Sequence, residues 1–122
     1  MIAGIIAARV SSLRLPGKVL LKICGKTTLE LMIERVKRSK TIDKIIIATS
    51  TNNQDDIIEK ICNEIEIECI RGPEEDLLAR YKIVSDKIKP DIIVKMGADS
   101  TLIDPLVIDQ VVNTFLNGDY DY

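Results

Sequence analysis

The sequence predicts an α/β fold, a mostly parallel sheet flanked by helices. Short apolar runs rich in Ile and Val alternate with segments of helical period, in the order β-α-β-α-β-α-β-α. One run, "KIIIATS" (44–50), carries three consecutive Ile, as a strand covered on both faces requires. Polar residues (Arg9, Ser50, Arg71 and Asp99) fall just after the ends of predicted strands. Parallel sheets bind ligands beyond the carboxyl ends of their strands, so four separate segments would deliver polar groups to one edge.

Each element has its own signal. "IAGIIAA" (2–8) is the first strand. Thr27 and Glu30 have capping-box spacing, and Leu29, Met32, Ile33 and Val36 share one face of the helix that follows. Residues 44–50 form the second strand. Asn53 is placed to cap the next helix, with Ile57, Ile58, Ile61 and Ile65 inside. "IEIECI" (65–70) alternates like a strand with one wetter face. After Pro73, residues Leu77, Leu78, Tyr81, Val84 and Ile88 mark a third helix. "DIIVKM" (91–96) is the fourth strand. Asp104 and Pro105 start the last helix as N-cap and first-turn proline, with Ile108, Val111, Val112 and Phe115 inward.

Length and composition fit one domain over residues 1–122, of net charge −2. No apolar run approaches the ~20 residues of a membrane span, so no membrane partner is expected. Charge is unevenly placed. Residues 1–29 contain Arg9, Arg14, Lys18, Lys22 and Lys26 and no acid. A basic pole on an acidic chain points to a localised anion site. With three Tyr, one Phe and no Trp, the chain lacks stacking residues for single-stranded nucleic acid, and no nucleic-acid partner is expected. Absence of His removes the common zinc patterns and His-based nucleophile activation. Three Cys without a C-x-x-C pair read as reduced thiols and a cytoplasmic location.

Two loops bear on chemistry. "ICGKTTLE" ends like a phosphate-binding P-loop, but the first glycine of that motif would fall on Leu20. Gly25 and Lys26 instead read as a turn into the Thr27-capped helix. The segment "ARVSSLRLPGK" (8–18) follows the first strand with three cations and no acid. Gly17 permits close backbone approach to an anion, Arg14 suits bidentate contact with phosphate oxygens, and Lys18 supplies a compact charge. A solvated basic loop is the competing reading. Arg80 likewise has a surface reading, paired with Asp76 one helical turn earlier.

The string A-R-x-S-S-x-R-L-P-G-K resembles the nucleotide-binding signature of cytidylyltransferases that activate acidic sugars. These include the 3-deoxy-manno-octulosonate, acylneuraminate and spore-coat polysaccharide enzymes. "ERVKRSKTIDKIIIATS", "IRGPEEDLLARY" and "DIIVKMGADSTLIDPLVID" extend the resemblance along the chain. It implies a nucleotide-diphospho-sugar transferase-like fold, with CTP and an acidic sugar as partners and Mg²⁺ as cofactor. It places Arg9, Arg14 and Lys18 on the phosphates, with Arg14 and Lys18 in catalytic roles. Ser11, Ser12 and the Gly17 backbone complete the cradle, and Thr49 and Ser50 contact the nucleotide. Arg71 and Arg80 fall near the base or ribose, and Asp99 is the metal ligand. The family's R-[IV]-T-x-D-x-P is here Lys95-Met96-Gly97-Ala98-Asp99-Ser100-Thr101. The resemblance further implies a domain that continues beyond residue 122, of which this chain is the nucleotide-binding part. Without the rest, the fourth helix would leave apolar surface exposed, so a homo-oligomer is expected. A non-catalytic nucleotide- or anion-binding module on the same fold is the alternative function.

Overall fold

The computed structural model describes residues 1–11 and 16–122. The main sheet has four parallel strands, β1 (Ile2–Ala7), β4 (Lys44–Ser50), β5 (Glu68–Gly72) and β6 (Ile92–Gly97), in the order β5-β4-β1-β6. A short hairpin, β2 (Lys22–Ile23) and β3 (Lys26–Thr27), precedes the first helix. Cys24 and Gly25 both have positive φ (53° and 83°), as a tight two-residue hairpin turn requires. The helices are α1 (Thr28–Val36), α2 (Asp56–Glu64), α3 (Leu77–Ile88) and α4 (Pro105–Leu116).

Strand alternation divides the core into two layers. Ile6 and Ile47 face Leu29, Met32, Ile33, Ile58, Ile108 and Val112, so α1, α2 and α4 cover one face. Ala3, Ile5, Ile46, Ala48 and Ile70 face Val84, Tyr81 and Ile88 of α3 on the other. Burial of each Ile stabilises the fold by ~1.5–3 kcal/mol relative to an exposed one. Strand order reverses at β1: the chain moves out through β4 and β5, then crosses by α3 to β6 on the far side. The expected parallel sheet with helices on both faces is therefore present.

Local chemistry sets the boundaries. Thr27 Oγ1 accepts from the Glu30 N–H at 3.1 Å, and Glu30 Oε1 accepts from the Thr27 N–H at 3.4 Å, completing the expected capping box. Asp104 caps α4 by accepting from the Leu106 N–H, with Pro105 in the first turn.

Four expectations are corrected. The cap before α2 is Asn52, not Asn53: its side chain accepts from the Gln54 N–H, and Asn53–Asp55 form a 3₁₀ turn leading into the helix. The third main strand covers 68–72 rather than 65–70. Ile65 closes α2, and Glu66 adopts positive φ (60°) before the strand begins. Ile57 was expected inside, but it is exposed on the outer side of α2, as are Leu77 and Leu78 on α3. Val111 is 61% exposed, and with Leu106 and Val107 it forms an apolar outer face on α4.

α4 is fixed to the sheet layer through Asp109. Its carboxylate accepts from Ser39 Oγ at 2.5 Å, from Thr41 Oγ1 at 2.7 Å and from the Lys40 and Thr41 N–H groups. These bonds, the Ser39 bond foremost, hold its carboxyl well below the usual carboxylate range. A depressed acid contributes stability above its unfolded pKa and loses it as pH falls through the carboxylate range toward the folded value. Asp109→Asn is therefore expected to lower Tm at pH 7 and to flatten the fall of Tm on acidification, as read by thermal melts between pH 7 and pH 3.

Candidate functional site

The carboxyl edge of the sheet collects four loops. Register places Ala7 beside Ala48 on one side and beside Gly97 on the other, and Ser50 beside Gly72. The segments that follow these residues carry Arg9, Asn52, Glu74 and Asp99.

The first and second loops are joined by Asp55, which is 1% exposed. One carboxylate oxygen accepts from the Val10 N–H at 2.7 Å and the other from Ser50 Oγ. Ser50 Oγ in turn accepts from the Asn52 N–H at 3.1 Å. Arg71 completes the frame. Its Nε donates to the Ser50 carbonyl, Nη2 to the Asn52 carbonyl and Nη1 to Asp56, each at 2.7 Å. Arg71 and Ser50 are thus engaged with the protein and position the 50–56 turn.

Other buried groups have capacity to spare. Thr49, next to Ser50 in β4, is fully buried, and its Oγ1 has no hydrogen-bond partner among the described residues. Arg80 is 5% exposed, and its Nε and Nη1 have no acceptor among the described residues. The surface reading of Arg80 is overturned. Asp76 caps α3 through the Ala79 N–H, while Arg80 lies beneath Gly72, where a Cβ would stand 3.0 Å from Arg80 Cγ. Burial, and after it the charge of Arg9, lowers the guanidinium pKa. An unpaired buried polar group costs about 1–3 kcal/mol, more when charged, so this arrangement suits an incoming acceptor.

On the β6 side, Lys18 Nζ lies 3.5 Å from the Asp99 carbonyl oxygen. The exposed Asp99 carboxylate lies over Gly97, where an added Cβ would be 2.7 Å from its Oδ1. Gly17 has φ 76°, and its N–H donates to the Val10 carbonyl at 2.8 Å, closing the base of the 10–17 loop. Ser12 and Arg14 lie outside the described residues.

Glu74 bridges the first and second loops. Its carboxylate accepts from Ser11 Oγ at 2.9 Å and Asn52 Nδ2 at 2.8 Å, and its carbonyl accepts from Arg9 Nη1 at 3.5 Å. The Asn52 and Ser11 bonds, then the charges of Arg9 and Arg80, keep its carboxyl below its ordinary pKa.

The structure therefore groups Arg9 and Ser11 with Ser50, Arg71 and Arg80, and brings Lys18 to Asp99. Thr49 precedes Ser50 in β4, so strand alternation turns its side chain to the other face of the sheet. Sequence reasoning missed Asp55, Asn52, Glu74 and Gly97. Asp55 and Asn52 had a detectable signal, since S-x-N-x-x-D after a strand places turn-capping side chains. Glu74 had none, because its partners are 22 and 63 residues away. No group of three or more His, Cys, Asp or Glu among the described residues is placed to share a metal ion. Asp99 offers a hard oxygen donor beside a cation, which fits a Mg²⁺ shared with substrate phosphates rather than one caged by protein.

A cavity of about 520 Å³ lies at the opposite, amino-terminal edge, lined by residues that include Val36, Ile42, Lys44, Ile67 and Glu68. Two of its charged residues, Lys44 and Glu68, pair with each other at 2.8 Å. It lacks the buried unpaired donors of the carboxyl edge.

The architecture is that of the nucleotidyltransferases. A cytidylyltransferase from Leptospira borgpetersenii superposes with a TM-score of 0.91 at 36% identity, over 97% of this chain and 50% of that one. A CMP:2-keto-3-deoxy-manno-octonic acid synthetase complexed with CTP superposes with a TM-score of 0.84 at 25% identity, over 95% and 47%. The spore coat polysaccharide biosynthesis protein SpsF of Bacillus subtilis is 35% identical over 97% of this chain and 51% of its own. The cytidylyltransferase family model matches residues 3–122, and the chain belongs to that family. It spans about half the length of the curated relatives it matches. No helix among the described residues is long and apolar enough to cross a membrane.

Asp55 carries the junction of the two loops. Asp55→Ala is expected to destabilise the fold by about 2–3 kcal/mol, since a buried acceptor of two hydrogen bonds is lost. The Val10 amide should lose protection in hydrogen exchange more than amides in α1. Equal protection of Val10 in both proteins would remove Asp55 from this role.

Proposed function

We propose that this chain is the nucleotide-binding part of an enzyme that transfers CMP from CTP to an acidic sugar, in the manner of CMP-sugar synthetases. The observation that carries this reading is Arg80 at the carboxyl edge, buried, with Nε and Nη1 unpartnered among the described residues, and near enough to Arg9 and Glu74 to feel their charges. The relatives supply the chemistry, since a similar synthetase is described in complex with CTP.

In this reading Arg9, Lys18 and the Gly17 backbone hold the triphosphate, and Arg14 and Ser12 join them from the intervening loop. Arg80 contacts the nucleoside, over a turn positioned by Ser50 and Arg71. A sugar hydroxyl attacks the α-phosphorus, the bond from that phosphorus to the bridging oxygen breaks, and pyrophosphate leaves with its charge balanced by Lys18 and Arg14. The hydroxyl proton passes to solvent. Asp99 would hold Mg²⁺ together with phosphate oxygens, and the ion would neutralise charge developing on the phosphates. Relationship to the spore coat polysaccharide biosynthesis protein SpsF supports a product destined for surface or spore-coat polysaccharide.

Lys18→Ala is expected to weaken CTP binding by about 1.5–3 kcal/mol, the range for a charge-assisted hydrogen bond, with little effect on cytidine. Calorimetric titration of both ligands tests this, and equal small losses would return Lys18 to a solvated loop. Asp99→Asn is expected to abolish most of the Mg²⁺ enhancement of CTP binding while leaving Tm unchanged. An unaltered Mg²⁺ effect would exclude Asp99 from the metal site.

A further inference from the structure

We infer that Glu74 is an internal anion. Its carboxylate sits on donors that an incoming phosphate would use, so that a nucleotide must displace it to bind. The inference rests on the nucleotide-binding reading above and concerns control of that same edge.

Ser11 Oγ and Asn52 Nδ2, from two different loops, converge on the two carboxylate oxygens at 2.9 and 2.8 Å. Arg9 donates to the same residue's carbonyl. Arg80 sits nearby, buried and with two guanidinium nitrogens unmatched among the described residues. Oxygen acceptors fixed on hydroxyl, amide and guanidinium donors are what a phosphate group presents. Glu74 also helps neutralise two neighbouring arginines, Arg9 and Arg80, and its carboxyl is held below its ordinary pKa by the Asn52 and Ser11 bonds and then by their charges.

Two facts separate a displaceable carboxylate from a permanent brace. The frame of the site already stands without Glu74: Asp55 joins the first two loops and Arg71 locks the 50–56 turn. Glu74 also belongs to an irregular segment between β5 and α3, partly exposed, where rotation of one side chain releases it. A polyphosphate carries more charge than one carboxylate and grips guanidinium groups through two oxygens, so it wins the competition. A neutral nucleoside offers only uncharged acceptors, which compete weakly with a carboxylate for these donors.

The test uses inorganic triphosphate and CTP as probes on this chain. Glu74→Gln is expected to bind inorganic triphosphate about fivefold or more tightly than the unsubstituted chain, the equivalent of one competing hydrogen bond removed. Glu75→Gln removes the same charge from an exposed neighbour and controls for bulk electrostatics. Glu74→Asp keeps the charge but is one methylene too short to span Ser11 and Asn52, and it too should tighten binding. Cytidine affinity should be unchanged in all three. Equal gains in Glu74→Gln and Glu75→Gln, or weaker binding in Glu74→Asp, would overturn the inference. Should Glu74→Gln not fold, Glu74→Asp decides alone. CTP preferred over UTP with no response to Glu74 substitution would sink this inference and leave the nucleotide reading intact. Tighter triphosphate binding with no preference for CTP would do the reverse.

Discussion

A carboxylate almost wholly removed from water, Asp55, holds the carboxyl edge of the sheet in one arrangement. It accepts the Val10 amide from one loop and the Ser50 hydroxyl from another, so the paths out of two adjacent strands are fixed by one side chain. A carboxyl group at 1% exposure is tolerable only when its oxygens are hydrogen-bonded, and both loops must be present to supply the donors. Arg71 extends the constraint, because three of its donors reach two backbone carbonyls and one acid within the same turn. Residues Arg9–Ser11 and the 50–56 turn are therefore held by the protein's own hydrogen bonds.

That order lets the edge hold groups that do not satisfy each other. Arg80 is packed under Gly72 by the close approach of α3 to β5, so it cannot swing out to water. Arg9 and Arg80 share a small region, and Glu74 partly offsets their repulsion. The fold carries this unpaired donor capacity at some loss of stability. Anion binding returns that loss as affinity, which is the physical meaning of a preorganised site.

The main features of the fold were legible because they depend on periodicity. Ile5, Ile6, Ile46 and Ile47 alternate between two faces, and the Thr27–Glu30 capping box needs only a spacing of three. Errors arose where tertiary geometry decides. Leu77 and Leu78 look like core residues by composition, but α3 turns them outward and buries Arg80 instead. A helical Arg with an acid four residues earlier reads as an exposed ion pair, and nothing local reveals that Gly72 leaves room for it inside. The 65–70 strand was misplaced because Ile65 and Ile67 also suit the end of α2. At the site, resemblance gathered residues by role, but it could not distinguish Arg71, which organises a turn, from Arg80, which lacks partners. Glu74 was invisible because its role comes only from distant loops.

The central claim is that this edge, and not the cavity at the other end of the sheet, receives a cytidine nucleotide. Amide chemical-shift mapping during a CTP titration with Mg²⁺ tests it directly. The account predicts shifts concentrated at Arg9–Ser11, Gly17–Lys18, Thr49–Asn52, Glu74, Arg80 and Gly97–Asp99, larger for CTP than for UTP at equal concentration. Shifts centred on Val36, Ile42, Lys44, Ile67 and Glu68, or a response the same for both nucleotides, would contradict it.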